Sequence, residues 1–406
     1  MHKHNIIKLF RLQDKNINLD KCEINSKTNS ALFYISKKVT AHSCPCCGTQ
    51  TKRIHDHRLQ IIKHTPINNY STKLVLKKTR LICTNCGKKF YMNYTNIVNP
   101  KFRCSNSLFF KIIEDLNSSI TFSDVAKLNN VSTGVVIRYL LIFSYLMGWN
   151  SVTRLPKHIG IDEFKGNCNN SKYLFHVFDL DTSETIQILE TRKCSDIIDF
   201  FNNISNRNEV KIVAMDLYQP FKNAVQTKLK RANIVADRFH YTSIVAKYLD
   251  KLRLNLWRNS NDNEKKYFKN LKLALLKDIK SVDKDNIAIL QEKLMYAFDL
   301  SPDLKYAYNL YQTFLKIKYC SNYKEKCTMF RNWLDDALSC TIDEMKTAAE
   351  TLLKWNKEIL NSFKTSYTNS STEGKNNKIK VIKRIAYGYK NLDNFRNRIK
   401  LRDLKV

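Results

Sequence analysis

Two short cysteine knuckles constrain this chain more than any other feature. Cys44-Pro45-Cys46-Cys47-Gly48 and Cys83-Thr84-Asn85-Cys86-Gly87 both read C-x-x-C-G. In that pattern two thiolates turn toward one ion, and the glycine takes the backbone conformation the tight turn requires. Together the knuckles offer Cys44, Cys47, Cys83 and Cys86, four sulfurs that close a tetrahedral shell and mark a structural rather than a catalytic Zn²⁺. Cys46 is an open alternative to either neighbour as ligand. The competing reading, buried cysteines without metal, needs two matched knuckles to arise by accident. Between the knuckles, polar and apolar residues alternate from Thr72 to Ile82, as in a half-buried strand. Residues 1–100 are therefore expected to form an N-terminal zinc ribbon. His55 and His57 lie on it as surface or DNA-backbone groups, since the four sulfurs already suffice.

The charge balance names a partner class. Lys and Arg number 69 against 37 Asp and Glu, leaving a formal charge of +32. Such a surplus destabilises a compact chain by self-repulsion unless a polyanion neutralises it, and nucleic acid is the first candidate. A compositional bias toward Lys, Asn and Ile inflates the count, but basic residues also cluster locally, at Lys77-Lys78-Thr79-Arg80 and from Lys378 to Arg384. The N-terminus has no apolar core long enough for a signal peptide. No stretch approaches the ~20 apolar residues of a membrane span, so a cytoplasmic protein is expected. With 406 residues, several folding units are expected.

From Thr121 the sequence predicts a short helix, a turn and a second helix capped by Ser132, the pattern of a helix-turn-helix within residues 101–152. Ala126 is small where two helices cross, Asn130 tolerates the left-handed turn conformation, and Val131 and Val136 lock the second helix to the first. Ordinary helical hairpins look similar, so a DNA-reading role for Ser132, Thr133 and Arg138 rests on the basic context.

After Pro156 short apolar runs replace helical spacing. Strands are predicted at 158–164, 173–180, 185–190, 210–216 and 233–236, with helix-forming sequence between the third and fourth and Pro220 opening another helix after the fourth. A three-stranded meander followed by alternating helix and strand is the order of an RNase H-like mixed sheet, in which the first and fourth strands are neighbours. These carry Asp162 and Asp216, a pair placed to share the metal that two-metal phosphoryl transfer uses. Glu163 should point away from Asp162, because side chains alternate along a strand. Asp237 and His240 are reserve candidates, an Asp at a strand end being more often a helix cap.

Residues 241–364 lose the strand signal and read as an all-α insertion, with apolar spacings such as Leu249, Leu252, Leu256 and Phe268, Leu271, Leu275. The catalytic domain is thus expected from 153–240 and 365–406. In its second part a helix starts near Ser370 and places Glu373, Asn377, Lys380 and Arg384 on one stripe, with Ile379, Ile382 and Ala386 opposite. A plain solvated face would look much the same. One acid among cations instead suggests that Glu373 binds metal while Asn377, Lys380 and Arg384 meet DNA.

These residues resemble the ISL-three family of insertion-sequence (DDE) transposases. The resemblance is carried by Gly160-Ile161-Asp162-Glu163-Phe164, Ala214-Met215-Asp216-Leu217-Tyr218, Ala236-Asp237-Arg238-Phe239-His240 and Glu373-Gly374-Lys375-Asn376-Asn377-Lys378-Ile379-Lys380, the last running into Ala386-Tyr387-Gly388-Tyr389. It covers nearly the whole chain. It implies catalytic acids at Asp162, Asp216 and Glu373 holding Mg²⁺ or Mn²⁺, and zinc at Cys44, Cys47, Cys83 and Cys86. It further implies double-stranded DNA as partner, both element ends and target, and a homodimer or higher assembly. The implied reaction is metal-dependent hydrolysis of a strand at the terminal inverted repeats, followed by attack of the freed 3′-hydroxyl on target DNA. Two rivals make different predictions. A structure-specific nuclease of the same fold would cut without joining, and a zinc-ribbon and helix-turn-helix regulator would not need Asp162.

Overall fold

A computed structural model describes residues 10–404 apart from 13, 15, 119, 170 and 369, with the backbone but not the side chains of 284, 285 and 370–373. The chain divides into two compact units, Met1–Asn150 with Val381–Val406, and Ser151–Lys380.

The first unit opens with strands β1 (Ile17–Asn25), β2 (Ser30–Lys37), β3 (His42–Ser43), β4 (Gln50–Thr51), β5 (Ile54–Lys63), β6 (Ser71–Ile82) and β7 (Lys89–Tyr91). One sheet runs β1-β2-β6-β5, with β7 also on β6, and β3 and β4 form a separate ladder. The alternation anticipated for residues 72–82 is realised in β6, where Leu74, Leu76 and Leu81 are buried with Phe33, Ile35 and Ile62 in a small core.

Three helices follow: α1 (Asn106–Leu116), α2 (Phe122–Leu128) and α3 (Thr133–Leu146). The α2–α3 turn behaves as its residues dictate, with Asn130 at φ 51° and Ala126 and Val136 buried. The start signals differ from the sequence reading. Thr121 and Asp124 form a reciprocal capping box at the head of α2, while Ser132, although at the N-cap position of α3, makes no capping hydrogen bond. His64, just after β5, is sealed in this unit at 1% exposure, with its Nδ1 2.7 Å from Ser105 Oγ, the N-cap hydroxyl of α1.

The second unit is built on strands β8 (His158–Cys168), β9 (Ser171–Asp179), β10 (Thr185–Leu189), β11 (Ile212–Met215) and β12 (Asn233–Ala236), with α4 (Cys194–Asn202) before β11 and α5 (Gln219–Lys228) after it. The sheet order is β10-β9-β8-β11-β12. The β8–β9 and β9–β10 pairs are antiparallel, whereas β8–β11 and β11–β12 are parallel. Each expected strand is present, and β8 is longer than expected. From Arg238 to Ser362 the chain is helical: α6 (Arg238–Asn259), α7 (Asp262–Lys269), α8 (Lys272–Leu275), α9 (Lys284–Leu300), α10 (Pro302–Lys316), α11 (Tyr323–Ser339), α12 (Asp343–Leu353) and α13 (Asn356–Ser362). One core continues from the sheet residues Ile159, Ile161 and Val213 into Leu249, Phe314 and Trp333 of these helices.

Helix α14 (Ser370–Ile385) carries the anticipated stripe: Ile379 and Ile382 are buried, while Asn377, Lys380 and Arg384 are exposed. The terminal helix α15 (Leu392–Asp403), grouped by sequence with the catalytic segment, packs in the first unit. Its Leu401 joins the core of α1–α3, and Arg398 donates to the carbonyls of Ser118 and Ile120.

Candidate functional site

The two knuckles have nearly the same geometry. Gly48 and Gly87 sit at φ 73° and 71°, and their amides donate to the carbonyls of Cys44 and Cys83 at 3.0 and 3.1 Å. The amides of Cys46 and Asn85 point at the sulfurs of Cys44 and Cys83. These turns bring the four thiols within 4.8 Å of one another, with Cys44 Sγ 3.6 Å from Cys86 Sγ and Cys47 Sγ 3.5 Å from Cys83 Sγ. Sulfurs about 2.3 Å from a tetrahedral Zn²⁺ stand about 3.8 Å apart, so the spacing fits that ion. Cys46 is exposed and outside the cluster. His55 and His57 bond instead to β-sheet neighbours, Asp56 and Thr79.

The carboxylate site is made by strand register. In the parallel β8–β11 ladder Ile161 pairs with Met215, so the next residues, Asp162 and Asp216, emerge side by side. Asp162 is 7% exposed, and its Oδ1 accepts from the Glu163 amide at 2.6 Å. Burial, and then repulsion by Asp216, push its carboxyl up to about 7, because an ionised acid there is poorly solvated and faces a like charge. Glu163 turns away as expected and pairs with Arg192, which also lies over the rings of Tyr173 and Tyr218.

Asp237 and His240, the reserve candidates, join this site. His240 Nε2 is 3.2 Å from Asp216 and 3.9 Å from Asp237, and one ligand atom from each of the three residues lies within 4.8 Å of the others. Asp237 occupies the N-cap position of α6 but makes no capping hydrogen bond. Three carboxylates and an imidazole are a donor set suited to a hard divalent cation.

Glu373 lies outside the described residues as far as its side chain is concerned, although its backbone is in α14. The helix reaches the site through two residues that sequence reasoning passed over. Asn376 donates to Asp162 Oδ2 at 2.6 Å. Lys375, 7% exposed, donates to the Ser183 carbonyl in the β9–β10 turn and lies 6.0 Å from the Phe178 ring centre. Gly160 makes that seat possible. It faces Phe178 across the β8–β9 ladder, and a Cβ there would lie 1.9 Å from the ring. A glycine two residues before an acid on one strand face was the available signal for a close neighbour. Ser132, Thr133 and Arg138 are all exposed on α3.

Residues 159–399 match the family model of ISL3-type DDE transposases, described as a transposase. Residues 40–86 match a model described as the zinc-finger of transposase IS204/IS1001/IS1096/IS1165. The chain is 23% identical over 392 residues, 89% of each sequence, to the transposase for insertion sequence element IS1001 of Bordetella parapertussis. A shorter similarity, 35% identical over 102 residues, covers 25% of this chain and 31% of an ATP-dependent protease of Lactococcus lactis subsp. lactis, too little of either to carry a function across. No helix among the described residues is long and apolar enough to cross a membrane.

Proposed function

The chain belongs to the ISL-three family of transposases, and from that premise we propose that it binds the terminal inverted repeats of an insertion sequence and catalyses divalent-metal-dependent strand cleavage and strand transfer. The observation that carries this reading is the pairing of Asp162 with Asp216 on adjacent parallel strands, a buried acid held against a half-buried one with further donors beside them. Two such acids repel until a cation separates their charges. When bound, Mg²⁺ or Mn²⁺ supplies that charge and Lewis acidity toward phosphate.

On this reading Asp162 and Asp216 are two members of the catalytic triad and Glu373 is the third. Position 373 lies one helical turn before Asn376, whose amide meets Asp162. Asn376 holds the Asp162 carboxylate in one orientation, and Lys375 anchors α14 on the β9–β10 turn. His240 and Asp237 orient Asp216. The sheet order supports an RNase H-like catalytic domain, interrupted between β12 and α14 by the helical insertion. The exposed residues Ser132, Thr133 and Arg138 make α3 the recognition helix of a helix-turn-helix, and Asn377, Lys380 and Arg384 hold DNA phosphates. Zinc stiffens the knuckles without entering the reaction. Synapsis of two ends calls for a dimer or larger assembly.

The test incubates the purified protein with labelled DNA carrying the ends that flank its gene, with Mg²⁺, Mn²⁺ or EDTA. Metal-dependent nicking and joining, lost in Asp162→Asn, Asp216→Asn and Glu373→Gln, is the expected result. Cleavage that survives all three substitutions overturns the proposal.

A further inference from the structure

Helix α6 leaves the carboxylate cluster and at once walls a cavity of about 400 Å³ that the chemistry above does not use. Asp237 and His240 face Asp216, while Arg238, Phe239, Tyr241 and Thr242, interleaved with them in the same first turns, line the cavity. Phe314 and Phe363 also line it. Its size lies within the about 300–1,000 Å³ usual for small-ligand pockets.

Two properties define the occupant. The cavity is aromatic: Tyr241 and Phe314 are buried walls, and Phe239 stands 69% exposed, far more than an aromatic ring serving only the core. It is also basic, since Arg238, Lys318 and Lys326 line it and none of its described lining residues is acidic. Lys318 is paired with Asp278, but Lys326 has no carboxylate partner among the described residues. Arg238 gives two bonds from Nη2 to the carbonyls of Ser362 and Thr365, which fix its guanidinium in the wall.

Flat π-faces and phosphate-pairing cations describe a site for one unstacked nucleotide of DNA. A stacked duplex cannot present a single base to such a cavity, whereas an extruded base can enter and stack on aromatic side chains. Phe239 and His240 are neighbours on α6, so the cavity wall and the carboxylate cluster share the first turns of one helix. We propose that Phe239 and the cavity behind it capture a base flipped from the duplex next to the scissile phosphate, with Lys326 receiving its phosphate. The inference rests on the transposase reading of the neighbouring carboxylates.

The test places 2-aminopurine, whose fluorescence rises on unstacking, at each nucleotide flanking the scissile phosphate in duplexes bearing the gene's own ends. Fluorescence is read with Ca²⁺ and the full-length protein, and cleavage is read separately with Mg²⁺. The wild type is expected to brighten the probe at one flanking position. Phe239→Ala, at an exposed position, is expected to keep gel-shift binding, lose the brightening and cleave paired ends about tenfold to a hundredfold more slowly. An abasic site at the brightened position should restore cleavage by that variant. If the wild type cuts but brightens no flanking probe, or if Phe239→Ala brightens and cuts as the wild type does, the flipped-base inference is overturned and the transposase reading stands. If the wild type cuts nothing with Mg²⁺, the carboxylate reading fails and the inference falls with it.

Discussion

The cysteine cluster and the carboxylate cluster are assembled in opposite ways. Each half of the first is a five-residue turn whose glycine and sulfur-directed amides already aim two thiols, so tertiary structure only has to bring two finished halves together. The second has no finished part. It takes one acid each from β8 and β11, two groups from α6 and an amide from α14, and the Asn376–Asp162 bond spans 214 positions. A site built from local turns should fail locally, and one built from register and helix docking should fail whenever either shifts.

The largest expected effect breaks the local site. Cys83→Ser should release zinc and remove binding free energy on the order of 10 kcal/mol from the ribbon. Metal analysis should show the loss, and hydrogen exchange should show lost protection around residues 40–91 with protection retained in β8–β12. Collapse of both regions together would break the contrast.

Gly160→Val attacks the distant site without touching a ligand. Its side chain would occupy the Phe178 ring, so a cost of about 3 kcal/mol is expected in denaturant unfolding, together with loss of metal-dependent cleavage. An unfolding free energy within about half a kcal/mol of wild type would show that the β8–β9 seat for α14 is not tightly packed.

Titration separates the regions by sign. Burial lowers the His64 pKa to about 4, so the fold holds its ring neutral. Its contribution is complete above about pH 6.5 and lost as pH falls through 4, about 3 kcal/mol in all. His64→Gln should flatten that acid limb in urea titrations. Asp162 is shifted upward, so the metal-free protein should lose stability as pH rises from about 4 through 7, and added Mg²⁺ should cancel that loss. A basic-limb loss unaffected by Mg²⁺ would argue against cation binding at Asp162.

The smallest effect sharpens the contrast most. Asn376→Ala removes one hydrogen bond to Asp162 and should raise the Mg²⁺ concentration needed for half-maximal cleavage about tenfold while leaving zinc content unchanged. An unchanged metal requirement would reduce Asn376 to a helix-docking residue.

What was legible in the sequence follows this division. The knuckles, the αL turn at Asn130, the five strands around Asp162 and Asp216 and the buried stripe of Ile379 and Ile382 all depend on periodicity or turn chemistry within a few residues. The helical run from about residue 241 was equally plain, since the strand signal is lost there, although the helix itself begins at Arg238.

Only the tertiary structure decided which groups meet. It selected Cys47 over Cys46, brought Asp237 and His240 to Asp216, set Asn376 and Lys375 against β8 and the β9–β10 turn, and packed α15 with α1–α3. The sequence alone determined the kinds of element and which of their faces are apolar, because those depend on backbone conformation and solvent near each residue. Contacts between residues two hundred positions apart depend on how whole faces fit, and no local pattern encodes that fit.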